Sequence, residues 1–180
     1  LSMFIQAMYN VVDSIFVAKY AQEALTAVSL TFPIQSLMIA LACGMGVGIN
    51  SLLSRRLGEK KFDEANRTAT NGIFLGIIVT VIFSIAGFLL SFVFFGFFTK
   101  DETTIEMGKI YMIICTLFSL GVFMQIIFER LLQSTGKTFY IMFSQGIGAI
   151  TNIILDPIFI FGLFGCPEMG IAGAAVATVA

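Results

Sequence analysis

Long uncharged apolar stretches alternate with short charged connections along most of this 180-residue chain. Thirty-one residues without a charge lie between Glu23 and Arg55, and thirty-two between Arg67 and Lys100. Nineteen more run from Ile110 to Phe128, and thirty from Thr138 to Pro167 broken only by Asp156. A spanning helix needs about 20 apolar residues, and a charge at mid-bilayer costs about 2.5–3.5 kcal/mol on insertion scales. The pattern therefore predicts helices over about residues 25–53, 68–98, 107–132 and 138–164. Residues 1–18 are apolar apart from Gln6, Asn10, Asp13 and two serines, and residues 169–180 are uncharged, which predicts a first and a sixth span, both incomplete. At about 1.5 Å per residue the longest runs reach roughly 46 Å, past a hydrocarbon core of about 30 Å, so they must tilt, kink or protrude.

The fold class expected is an all-α polytopic transmembrane bundle, with residues 1–180 forming one partial lobe. Both ends read as cut, because no charged or signal-like sequence precedes Leu1 and Ala180 falls within an apolar run. A secretory signal peptide would need a basic leading region and would not carry Asp13 inside its apolar stretch.

Composition supports the membrane reading: 58% of residues are hydrophobic and 12% charged, against about 45–50% and about 25% in soluble domains. Disorder is excluded on the same ground. A net charge of -1 leaves no basic footprint for nucleic acid, and the lack of histidine removes the usual zinc, haem and imidazole-base chemistries. Cys43, Cys115 and Cys166 lie in or beside apolar runs and read as free and inert. Seven basic residues (Arg55, Arg56, Lys60, Lys61, Arg67, Arg130, Lys137) flank one end of the spans and three (Lys19, Lys100, Lys109) the other. The positive-inside rule puts the seven in the cytoplasm, so the first, third and fifth spans run outward. The stretch from Ser54 to Ala65 reads as a helix end capped at Gly58 in the left-handed conformation, then a short amphipathic surface helix. Its basic cluster is read as a solvated anchor in preference to a lipid or nucleic-acid site. With no tryptophan, Tyr20, Tyr111 and Tyr140 are expected to form the interfacial belt.

Ionisable residues inside spans are functional candidates, since lipid exposure would be too costly. Asp13 follows Gln6 and Asn10 at helical spacing, and Asp156 follows Gln145 and Asn152 in the same way, so each set predicts one polar stripe facing the interior. Pro157 lacks an N–H and its ring opposes the carbonyl of Ile153, which predicts a kink and an oxygen free of its helical partner beside Asn152 and Asp156. Such a carboxylate, amide and carbonyl suit a proton or a hard monovalent cation; interhelical packing is the bland reading for a lone asparagine. Pro33 predicts a second kink, a hinge without chemistry. Gln125 and Glu129 share a face of the fourth span, where an ion pair with Arg130 accounts for Glu129. Gly44, Gly46, Gly48, Gly72, Gly76, Gly146 and Gly148 predict close helix approach; Gly44 to Gly48 is no nucleotide loop, as no strand precedes it and no lysine follows. The phenylalanines of residues 92–98 are assigned to lipid or core.

Several segments resemble the N-terminal lobe of the multidrug and toxic compound extrusion (MATE) transporters: Asn10-Val-Val-Asp13 with Ser14 to Val17, Ala24 to Ser29, Gly58, Gln133 to Lys137, Asn152-Ile-Ile-Leu-Asp156-Pro157, and Gly170 to Thr178. They occur in family order along nearly the whole chain. The resemblance implies a protein of twelve helices in two lobes, exporting hydrophobic, often cationic drugs in exchange for protons or sodium. It further implies a bacterial plasma membrane location, a C-terminal lobe as partner, no other cofactor and no enzymatic activity. In the family the residues matching Asp13, Asn152 and Asp156 are linked to cation coupling, with Asn10 expected beside them and Thr178 a weaker match. The expectation is that Asp13 and Asp156 share one cavity and titrate as a coupled pair. Three rival classes remain: a lipid-linked oligosaccharide flippase, whose cavity would tend to be basic; a membrane enzyme with an aspartate dyad; and a structural subunit, which would need neither aspartate.

Overall fold

The computed structural model describes residues 11–12, 15–19, 22–162 and 169–179. All regular structure among them is helical: α1 (residues 15–19), α2 (Gln22–Gly58), α3 (Phe62–Phe98), α4 (Glu102–Leu117), α5 (Ser119–Ser134), α6 (Thr138–Phe161) and α7 (Ile171–Val179). The helices α2, α3 and α6 are each long and apolar enough to cross a membrane, and α4 with α5 makes a fourth span bent by 43°.

Inside the bundle the usual size rule is inverted. The buried positions of α3 are Ala65, Gly72, Gly76, Thr80, Gly87, Ser91 and Phe95, spaced by sevens and fours, and all but Phe95 are small. Its large residues, among them Phe74, Ile82, Leu89, Phe92 and Phe97, point outward. In lipid there is no hydrophobic gain from hiding leucine or phenylalanine, so small residues win the interface because they let backbones approach. Three close approaches follow: Gly72 lies against Ile49 of α2, Gly76 against Ile127 of α5, and Gly87 against Thr116 of α4. Gly46 likewise faces the Arg130 side chain, whereas Gly44, Gly48, Gly146 and Gly148 face open space and do not make the contacts expected of them. Phe95, the one large buried residue of α3, seats its ring on Gly108 of α4.

The helices α2, α3, α4 and α5 pack mutually, and α6 joins them mainly through α7, which leans on α4. One buried cluster gathers Met38, Ala42 and Phe123 between α2 and α5. The other joins Val17, Ala27, Tyr111, Cys115, Ile160 and Ala174, so it ties α1, α2, α4, α6 and α7 together. Tyr111 is thus core, 1% exposed, and accepts a hydrogen bond from Gln35 at 3.3 Å. Its expected interfacial place is corrected; Tyr140 is exposed as an interfacial residue should be, and Tyr20 lies outside the described residues.

The fourth span was expected as one helix over about residues 107–132 and is instead broken at Phe118. No proline or glycine sits at the break. Thr116 turns its hydroxyl back to the Met112 carbonyl at 2.8 Å, a bond that competes with helical propagation, and Ser84 of α3 donates to the Thr116 carbonyl at 2.7 Å. The Ser84 and Ser119 hydroxyls are 3.1 Å apart, so a donor from another helix supports the bend. Ser84→Ala is expected to lower stability by about 0.5–1.5 kcal/mol and to straighten α4 against α5. Thermal unfolding in detergent and spin-label distances across Phe118 check both; an unchanged angle would show that the bend does not need Ser84.

At the turn between α2 and α3, α2 ends at Gly58 but the left-handed residue is Lys60, with φ 58°, which corrects the cap assignment. The expected amphipathic helix is not separate: Phe62 begins α3, which then runs unbroken to Phe98. Arg55 Nε and Arg56 Nη1 each approach a Glu59 oxygen at 3.0 Å, and Lys61 Nζ does so at 3.3 Å. These hydrogen bonds, from Arg55 first, then Lys61 and Arg56, hold the Glu59 pKa down at about 2 from 4.5. A carboxyl lowered in the folded state lends stability that is complete above the unfolded value and lost as pH falls through the folded one. A spin label at position 60 is therefore expected to stay ordered above pH 4.5 and to gain mobility as pH falls towards 2. Constant mobility over that window would contradict it. At the other end of α3, Asp101 caps α4 by accepting from the Thr104 backbone N–H at 2.9 Å and from the Thr104 hydroxyl, and these bonds lower its pKa too.

Candidate functional site: a buried acid and amide between α6 and α7

Asn152 and Asp156 stand one turn apart on α6. Asn152 is 7% exposed and Asp156 0%. Their depth follows from α7, whose small residues Gly173, Ala174, Ala175 and Ala177 are buried, as is Gly170 just before it, and let its backbone lie directly on α6. At Gly173 a side-chain carbon would strike the backbone of Phe159 and Ile160. Two further bonds fix the pair: the Met169 N–H donates to the Phe159 carbonyl at 3.0 Å and the Gly170 N–H to the Ile160 carbonyl at 3.3 Å.

The Asn152 amide Nδ2 donates to the Ala177 carbonyl at 3.0 Å, which locks its orientation and leaves Oδ1 buried without a hydrogen-bond partner. Thr178, next to that carbonyl, donates its hydroxyl to Ala174 at 2.8 Å and keeps its lone pairs. Pro157 follows Asp156 inside an uninterrupted α6, so Ile153 has no helical N–H donor four residues on. Carboxylate, amide oxygen and carbonyl thus occur within one turn. Oxygen donors of this kind suit a proton or a hard cation. Among the described residues no group of three or more His, Cys, Asp or Glu gathers as a transition-metal site would.

Asn10 and Asp13 lie outside the described residues, as does Cys166. The stretch that follows them reaches α6: Phe16 meets Phe161 edge to face at 6.5 Å, and Val17 enters the buried cluster with Ile160. Pro33 lies within an unbroken α2. The polar stripe expected on α6 divides between two neighbours, for Asn152 turns to α7 while Gln145 reaches α5. Gln145 Nε2 donates to both oxygens of Glu129 at 3.0 Å, and Gln125 Nε2 adds a bond at 3.2 Å. The ion pair expected between Glu129 and Arg130 is corrected: Arg130 turns instead to Gln133 at 2.8 Å, and among the described residues Glu129 makes no ion pair. Sequence reasoning missed the Ala177 carbonyl, a backbone atom without a residue signature, and Gly173. The alanine and glycine content of the last span was the signal available for the latter.

Helices that cross a bilayer, small residues at their contacts and an acid sealed between two of them define a multi-pass membrane protein with a polar interior. The chain belongs to the MatE family, which it matches over residues 1–158. It is 30% identical over 176 residues to a probable multidrug resistance protein NorM of Thermotoga maritima, covering 97% of this chain and 38% of that protein. It is 29% identical over 171 residues to the FAD transporter of Shewanella oneidensis, covering 95% and 38%. A solved outward-facing multidrug resistance MATE family transporter of the MOP superfamily superposes with a TM-score of 0.90 at 30% identity, covering 99% of this chain and 39% of the other. The chain thus spans a little over a third of the length of these relatives. The all-α transmembrane class and the MATE resemblance drawn from the sequence both hold, and the plasma membrane of bacteria is the setting the relatives indicate.

Proposed function

We propose that this chain supplies the cation-coupling half of an exporter that exchanges hydrophobic, often cationic compounds for protons or sodium. The observation that carries the reading is the buried acid and amide of α6, Asp156 and Asn152, closed by α7. We assign Asp13 and Asn10 to the same chamber: Phe16 and Val17, three and four residues after Asp13, belong to a stretch that reaches Phe161 and Ile160, five and four residues after Asp156. Binding a proton or sodium there removes the like-charge repulsion and lets α6 and α7 settle against α1. Thr178 lies where α7 would answer that change. The resulting repacking releases the compound outward, with a potential that contributes about 2.3 kcal/mol per charge per 100 mV. The second lobe is the structural partner in this scheme and the bilayer its medium.

The name of the Shewanella relative raises flavin dinucleotide export as a second reading. A pyrophosphate cargo favours basic residues along its path, as it would in the flippase alternative. Glu129 of α5 and Asp156 of α6, acids set back from the ends of their helices, favour cations. The full-length protein in liposomes, loaded in turn with a cationic dye and with FAD, separates the two. Dye export that collapses with the proton or sodium gradient supports the proposal, and gradient-independent dye movement or FAD export alone refutes it.

A further inference from the structure

Glu129 carries a charge within the bent fourth span that the α6–α7 site leaves unused. It lies five residues before the end of α5, about 7 Å inside that end at 1.5 Å per residue. Its partners Gln125 and Gln145 are neutral, so they orient the carboxylate without cancelling it. Arg130, the adjacent cation, points across α5 towards Gly46 and Gln133. Because Gln145 presents its N–H groups to Glu129, its own Oε1 is left buried with no hydrogen-bond partner. A buried acceptor in that state costs free energy until something donates to it. Gln125 is exposed and Glu129 and Gln145 are half-buried, so the cluster lies at the edge of the described bundle.

We propose that Glu129, Gln125 and Gln145 form a second ligand site, a cradle between α5 and α6 for the protonated amine of a transported compound. An ammonium with at least two N–H groups meets both needs, giving one bond to the carboxylate and one to Gln145 Oε1. A quaternary ammonium satisfies the charge alone. A bare inorganic cation would compete with the amide N–H groups already aimed at the carboxylate. The site lies seven residues from Asn152, about 10 Å along α6, and does not depend on the coupling role of Asp156.

The test uses dansylcadaverine, a fluorescent primary amine, with its neutral N-acetyl and its trimethylammonium derivatives. Each is bound to the full-length protein in detergent without any gradient, so failure of ion coupling cannot mimic failure of the site. The wild type is expected to prefer the primary amine over the neutral form by about tenfold or more, the scale of a charge-assisted hydrogen bond. Glu129→Gln, close in shape, is expected to erase that preference. Gln145→Leu keeps the charge preference but loses discrimination between the primary and trimethylated amines, and it serves as the test if the first variant does not fold. Equal binding of charged and neutral forms by the wild type, or a full preference retained in Glu129→Gln, overturns the proposal. Discrimination unchanged in Gln145→Leu does the same.

Discussion

Gly173→Ala is expected to separate α7 from α6 and to destabilise the protein more than any other single methyl addition in the described bundle. The added carbon would meet the Phe159 carbonyl and the Ile160 nitrogen. Both are backbone atoms of a helix and cannot swing aside as a side chain does. Overpacking usually costs about 1–3 kcal/mol. Here the relief must come from moving α7, which also stretches the Asn152 bond to Ala177 and the Met169 and Gly170 bonds to α6, each worth about 0.5–1.5 kcal/mol. A loss of about 3 kcal/mol or more follows, with export lost because the acid is no longer sealed. Gly148→Ala is the control, since nothing stands near its added carbon. Thermal unfolding of the full-length protein in detergent checks the pair, and equal stability of the two variants would contradict the packing described.

The second large effect is expected at Asp156. Exchange for asparagine keeps the shape of a residue that is 0% exposed, so the fold should persist while the charge that α6 brings to the site goes. The other groups that α6 brings there, the Asn152 oxygen and the Ile153 carbonyl, are neutral. A coupled charge adds about 2.3 kcal/mol per 100 mV, and about 1.4 kcal/mol is a tenfold change, so its loss lowers the substrate gradient by roughly fiftyfold per 100 mV. Asn152→Leu is milder: it removes the α7 tether but leaves the carboxylate.

The spans were legible because charge is so costly in lipid that its absence over long runs marks α2 and α3, and α6 but for Asp156. Register and depth on α6 were legible too, since Asn152 and Asp156 share a face and are both buried. The break at Phe118 was not, because its cause is tertiary: Ser84, thirty-two positions away from Thr116, supplies the donor. The turn at Lys60 misled for a related reason, since a web of bonds to Glu59 holds a lysine where glycine would be the intrinsic choice. Glu129 misled because sequence adjacency to Arg130 says nothing of direction; consecutive residues on a helix point about 100° apart, and each found an amide partner instead. The glycines divide likewise, Gly72 and Gly76 meeting neighbours where Gly44 and Gly48 do not. Composition marks where close approach is permitted, and only the partner helix decides where it occurs.

Gradient-driven efflux by Asp156→Asn in proteoliposomes is the measurement that bears most directly on the acid of α6 as the coupling group. With the full-length wild type, export of a cationic dye should rise when an inward proton or sodium gradient is imposed. In the variant, correctly folded by its unfolding temperature, the same rate is predicted with and without either gradient. Efflux from Asp156→Asn that still rises with the gradient as the wild type does would contradict the account.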